Sequence, residues 1–218
     1  MSLEPRLPLL ANPRQKLVGG LLAIAACALL YGGAAALTAE RALVVAVPAW
    51  ERAIPYLPLS VWAYLAQYPL LVVAYYGAGA DLRRCSRFVY ALVFVQAAAA
   101  ATYLAFPLRY PRDESTANAV VADPLTAALI ERVHSLDAPV NCLPSLHVTS
   151  SLLCMALLGR RRTPLAFAVR AVALASIVST LTFKQHYAID LPAGALYAAA
   201  AWWAAGRLLG RSSGQARP

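Results

Sequence analysis

The sequence predicts an all-α, polytopic membrane protein: six transmembrane helices in a bundle, with a short interfacial segment between the first two. Three observations predict it. Of 218 residues, 61% are hydrophobic and 13% charged, with a mean hydropathy of +0.59. A soluble domain carries about 25% charged residues. Six apolar stretches approach the roughly 20 residues that cross a hydrocarbon core. Finally, basic residues concentrate in alternate connections, the pattern of segments retained on the cytoplasmic side.

The elements follow in order. Residues 1–16 carry Arg6, Arg14 and Lys16 and read as a cytoplasmic segment. The first stretch, 17–38, is long and has no small-residue cleavage site after it, so it reads as an anchor rather than a removed leader. The next connection holds Glu40, Arg41, Glu51 and Arg52 beside Ala46-Val47-Pro48-Ala49-Trp50 and Ile54-Pro55-Tyr56-Leu57-Pro58. Proline breaks helices, and Trp and Tyr favour the membrane interface. This segment therefore reads as lying on the external surface, where it anchors the chain and borders a route for lipid. The second stretch is 59–77. A basic loop with Asp81, Arg83, Arg84 and Arg87 leads to the third, 88–106. The 107–144 loop is long and balanced in charge. The fourth stretch, 145–159, is short, which suits a first turn set in a protein-lined cavity. Arg160, Arg161 and Arg162 precede the fifth, 164–182; the turn 183–189 and the sixth, 190–209, follow. Residues 210–218 read as a disordered cytoplasmic tail. Both termini then lie in the cytoplasm, and 17–209 forms the catalytic domain. No internal repeat is evident.

The net charge of +9 does not point to nucleic acid, because the basic residues lie in short clusters rather than along one aromatic-bearing face. Cys27, Cys85, Cys142 and Cys154 show neither a disulfide pattern nor zinc-ligand spacing. Cys85 is placed in the basic loop. Gln67 and Gln96 are expected to hydrogen-bond between helices, and the alanines of 97–101 to let helices approach closely. Trp202 and Trp203 read as interfacial or lipid-facing. His134, Glu131 and Asp137 have no motif around them and read as surface residues.

Three motifs carry chemistry, all on the predicted external side. Phe106-Pro107-Leu108-Arg109-Tyr110-Pro111-Arg112 presents, at Arg112, a planar donor fork suited to phosphate. Pro144-Ser145-Leu146-His147 opens a helix whose free N–H groups favour an anion, and places His147 to protonate a leaving oxygen. In Lys184-Gln185-His186-Tyr187-Ala188-Ile189-Asp190, a spacing of four puts His186 and Asp190 on one helix face. An aspartate on one ring nitrogen raises the basicity of the other, which makes a histidine a nucleophile toward phosphorus. Lys184 adds a fixed positive charge. Polar residues at membrane edges are expensive, which argues for a function.

These motifs, in this order, resemble the type-2 phosphatidic acid phosphatase superfamily over roughly residues 55–209. The resemblance implies a helical core and metal-free, cofactor-free phosphoryl transfer through a phosphohistidine. By matching position, it makes His186 the nucleophile, Asp190 its orienting carboxylate and His147 the general acid and then base. It gives Arg112 and Ser145 the phosphate oxygens. The sequence departs from the family pattern at Ala105, where lysine is usual, at Asp113, at Leu146 and at Ser179-Thr180, where an arginine is missing. Lys184 and Arg109 are the candidate replacements for the two absent cations. Together with Ile54–Pro58, these departures resemble the branch of inositol phosphorylceramide and sphingomyelin synthases, which move a phospho-alcohol headgroup between lipids.

The expected function is hydrolysis of a lipid phosphate or diphosphate at the extracytoplasmic face of a plasma or inner membrane. Headgroup transfer is the alternative. A transporter or assembly subunit is more remote, as is a metallohydrolase using His147, His186 and Asp190 as ligands.

Overall fold

The computed structural model describes residues 7–111, 123–136 and 140–209. Arg112, Asp113 and Asp137 lie outside the described residues.

Helix α1 (Pro13–Thr38) opens on Asn12, whose side chain accepts from the Gln15 N–H at 2.9 Å, with Pro13 where a missing N–H costs nothing. This cap starts the helix earlier than the predicted residue 17. Strand β1 (Leu43–Val44) runs parallel to β2 (Leu108–Arg109), a two-residue pairing within an otherwise helical chain. Helix α2 (Ala49–Arg52) is a single turn behind Pro48. Helices α3 (Ser60–Leu65) and α4 (Gln67–Gly77) share the stretch predicted as one helix. The break falls at Ala66 because Pro69 has no N–H for the Leu65 carbonyl.

Helix α5 (Leu82–Ala105) is capped by Asp81, which accepts from the Arg84 N–H at 3.0 Å. Its first turns therefore contain Arg83, Arg84 and Arg87, assigned to a loop from sequence. Cys85 is correspondingly buried in the bundle, not looped out. Helix α6 (Pro124–Leu136) lies in the connection read as an irregular loop. Asp123 accepts from the Thr126 hydroxyl and from its N–H at 2.8 Å, and these bonds hold its carboxyl below the usual carboxylate range. That cap is intact at neutral pH and is lost as the pH falls through the lowered value. Helices α7 (Leu146–Leu158), α8 (Pro164–Thr182) and α9 (Asp190–Leu208) coincide with the last three apolar stretches.

Helices α1, α5 and α8 are long and apolar enough to cross a membrane. The main core joins α4, α5, α7, α8 and α9 around Leu70, Phe88, Val95, Leu153, Leu157 and Val169. Buried alanines at 74, 91, 173 and 205 let the helix backbones approach. Helix α1 packs on α5 through Ala34, Ala99, Ala100 and Tyr103, and otherwise shows an apolar outer face that includes Leu22 and Leu29. Gln67 behaves as expected: its Oε1 accepts from Ser151 at 2.6 Å and Ser176 at 3.1 Å, joining α4 to α7 and α8. Among the described residues nothing accepts from Gln96 Nε2.

The basic clusters also close helix ends. Arg161 donates to the Gly77 and Ala78 carbonyls at 3.1 and 3.0 Å, and Lys16 to Gly79 at 2.9 Å, where α4 leaves carbonyls unsatisfied. Arg170 donates to Gly159 at 2.7 Å and to Arg161 at 2.9 Å, just past α7. Arg87 lies 4.3 Å from the Trp202 ring and Arg207 5.1 Å from that of Trp203.

Candidate active site

The site is built on the turn between α8 and α9. Helix α8 ends with the Lys184 N–H on the Leu181 carbonyl (3.2 Å) and the Gln185 N–H on Thr180 (3.0 Å). This is the closure that normally places glycine in the left-handed region. Here Lys184 occupies it, with φ 55°. A side chain costs about 1 kcal/mol in that conformation. Lys184→Gly and Lys184→Ala both lose the ammonium, but only glycine relieves the backbone. The Gly variant is expected to melt about 2–4 °C above the Ala variant; equal melting temperatures in detergent would refute this.

Immediately after this turn, Asp190 starts α9. Its Oδ2 accepts from the Tyr187 N–H at 2.9 Å and lies 3.1 Å from His186 Nδ1. The Cys142 carbonyl lies 3.0 Å from the same nitrogen. Both neighbours are acceptors, so Nδ1 carries the hydrogen and the lone pair is left on Nε2. Asp190 is fully buried and His186 nearly so.

The second motif is brought against this turn by backbone contacts. The Ser145 N–H donates to the Asp190 carbonyl at 3.3 Å, and Tyr103 on α5 donates to the Pro144 carbonyl at 2.7 Å. Ser145 caps α7, its hydroxyl accepting from the Val148 N–H at 3.5 Å. His147, in the first turn of α7, stacks on Tyr64 of α3 at 3.9 Å and meets the edge of Tyr68 at 6.4 Å. The rings of His147 and His186 are 6.4 Å apart. The structure thus brings His147, His186 and Asp190 together, a separation one bridging group can span.

The other sequence-predicted residues are placed differently. Lys184 is buried and its Nζ donates to the Glu51 carbonyl at 3.3 Å. Arg109 donates from its guanidinium to the Ala39 carbonyl at the end of α1, while its own carbonyl accepts from Tyr187 at 2.8 Å. Tyr187 also contacts the Val45 N–H (3.1 Å) and carbonyl (3.0 Å), so one phenol ties the first connector and the first motif to the histidine turn. His134 is not a plain surface residue. It stacks on Phe183 at 5.5 Å because Ile130 and Val133 bury α6 against Val61, Tyr64 and Phe183. Cys142 is packed, with Sγ 3.9 Å from the Gln185 carbonyl.

Two groups at the site were not singled out from sequence, Tyr64 and Glu51. The four-residue spacing of Tyr64 and Tyr68 was an available signal, since it puts both rings on one helix face. Glu51 offered none, because its burial depends on α2 docking against a turn more than 130 positions away.

The family profile of the PAP2 superfamily matches residues 26–204, a range that contains every residue of the site described above. No curated protein and no solved structure was found to match the chain. On that match, supported by a helical bundle with membrane-length apolar helices, the chain belongs to the PAP2 superfamily, membrane enzymes of the lipid phosphatase and phosphotransferase type.

Proposed function

We propose that the protein hydrolyses a lipid phosphate or diphosphate through a phosphohistidine on His186, with the site at the extracytoplasmic face, six spans and both termini cytoplasmic. The observation that carries this reading is the His186 ring held through Nδ1 by Asp190, at 3.1 Å, with His147 across from it. In the first step His186 Nε2 forms a bond to phosphorus as the bond to the leaving oxygen breaks, and His147 gives that oxygen a proton. Asp190 stabilises the positive ring that results. In the second step His147 takes a proton from water, whose oxygen attacks phosphorus and releases His186 with inorganic phosphate.

Arg112 and Lys184 are assigned the phosphoryl oxygens, with the first turn of α7 at Ser145 as a further anion site. Arg109 joins them only after its guanidinium leaves the Ala39 carbonyl. The reaction is proposed to need no metal and no cofactor.

One observation favours transfer between two lipids as a second reading. Two apolar grooves lie at the two ends of the histidine turn, one reaching Thr182 just before it and the other Tyr187, Ala188 and Ile189 at its close. One, of about 610 Å³, is lined by Leu57, Pro58, Leu174, Val178 and Thr182. The other, of about 360 Å³, is lined by Val45, Trp50, Tyr187 and Ile189. Two chains meeting at one phosphoryl site suit a donor and an acceptor lipid.

The test is phosphate release by purified protein in detergent from phosphatidic acid, an isoprenyl diphosphate and a sphingoid phosphate, with and without chelator. Chelator-resistant release is the expected result. No release from any of them, with a new phosphodiester lipid formed when a phospholipid donor and an acceptor alcohol are supplied, would establish transfer instead.

A further inference from the structure

Glu51 is a buried acid to which the proposed reaction assigns no role. It lies in the turn of α2, is 3% exposed, and its Oε1 has no hydrogen-bond partner among the described residues. The Ala188 N–H donates to the carboxylate, between His186 and Asp190 in sequence. The backbone carbonyl of Glu51 accepts from Lys184 at 3.3 Å, so α2 is docked on the histidine turn. Glu51 also lines the smaller groove, beside Tyr187 and Ala188.

Among the described residues, the charged and titratable groups facing Glu51 are Lys184, Tyr187 and Asp190. Two carboxylates therefore share the surroundings of one lysine. Asp190 accepts from His186 Nδ1–H and the Tyr187 N–H, whereas among the described residues the Glu51 carboxylate has the Ala188 N–H and the Lys184 ammonium. An anion entering beside His186 meets whatever charge Glu51 carries, in a setting where water screens little. Burial, followed by the charge of Asp190, pushes the Glu51 carboxyl above its ordinary range; the Ala188 N–H and Lys184 oppose this.

We propose that Glu51 sets the anion affinity of the histidine site through its own charge: protonated, it adds no negative charge beside Lys184 and the incoming anion, and ionised, it offsets the Lys184 charge and repels that anion. Glu51 is thus a positioning residue. The inference rests on the proposed placing of a phosphoryl group between His147 and His186. Anion binding then takes up a proton at Glu51, and affinity falls as the pH rises through its raised value.

Sulfate is the probe, because it is a tetrahedral dianion across the range of interest. The sulfate-dependent rise in melting temperature gives its affinity, at constant ionic strength, in the detergent-purified full chain. Wild type, Glu51→Gln, Glu51→Ala and Glu51→Asp are compared at about pH 5.5 and about pH 8, which bracket a raised carboxylate. Wild type should lose affinity at the higher pH as Glu51 ionises. The Gln and Ala variants should lose less affinity between the two pH values and bind sulfate about tenfold more tightly than wild type at the higher pH. The Asp variant should return toward wild type. Equal affinities in wild type and both neutral variants, or no sulfate response in any of them, would overturn the proposal. If no lipid in the panel releases phosphate while the Glu51-dependent sulfate response persists, the proposed reaction falls and the role of Glu51 stands.

Discussion

His186→Ala is expected to lower phosphate release from the preferred lipid by about 10,000-fold or more, the scale seen when a covalent nucleophile is deleted. The residual site still holds a cation and a proton donor but offers no atom to receive the phosphoryl group. His147→Ala is expected to be slower by about 100- to 10,000-fold, the range for loss of a general acid–base group. The two variants differ most in what they accumulate. With lipid labelled in the phosphate, the His147→Ala protein should hold acid-labile, base-stable label on His186, because attack by water has lost its base. The His186→Ala protein should hold none. Label found on the His186→Ala protein would reverse the assignment, and label on neither, with turnover intact, would remove the covalent intermediate altogether.

Gly194→Ala is expected to cost both stability and activity although Gly194 carries no chemistry. Helix α9 crosses the start of α7 there so closely that a Cβ would lie 2.8 Å from the Ser145 carbonyl and 2.9 Å from Val148 Cβ. Neither a backbone carbonyl nor a β-branched side chain at a helix start can give way without moving the helix. Overpacking of this kind costs about 1–3 kcal/mol, or about 2–12 °C in melting temperature for a chain of this size. The displacement falls on the Ser145–Asp190 backbone bond that sets the two histidine motifs against each other. Activity should therefore drop more than tenfold, since small displacements of catalytic groups are expensive. Gly32→Ala is the control, because its Cβ meets nothing within 4 Å. Equal melting temperatures and equal rates for the two variants would show that the α7–α9 crossing is not what aligns the site.

Much of the bundle was legible because its causes are local. Apolar length, proline and side-chain caps act within a few residues, so the stretches at 164–182 and 190–209 could be read directly. Helix α6 was missed although Asp123-Pro124 is a helix start and Leu129, Ile130 and Val133 lie on one face. From sequence, its balanced charge reads as a loop. The beginning of α5 is hidden for a related reason: a basic cluster reads as a connection, whereas Asp81 caps a helix that runs straight through it.

For the histidine motifs, the sequence by itself determined which residues could do phosphoryl chemistry, since Pro144-Ser145-x-His147 and His186-x-x-x-Asp190 are short-range patterns. Only the tertiary structure decided what surrounds them. It turned Arg109 onto α1, stacked Tyr64 on His147, and fixed Glu51 to Lys184 across 133 positions of chain. Burial and the electrostatic field at a site are sums over everything packed nearby, whatever its place in the chain. No local pattern contains that sum.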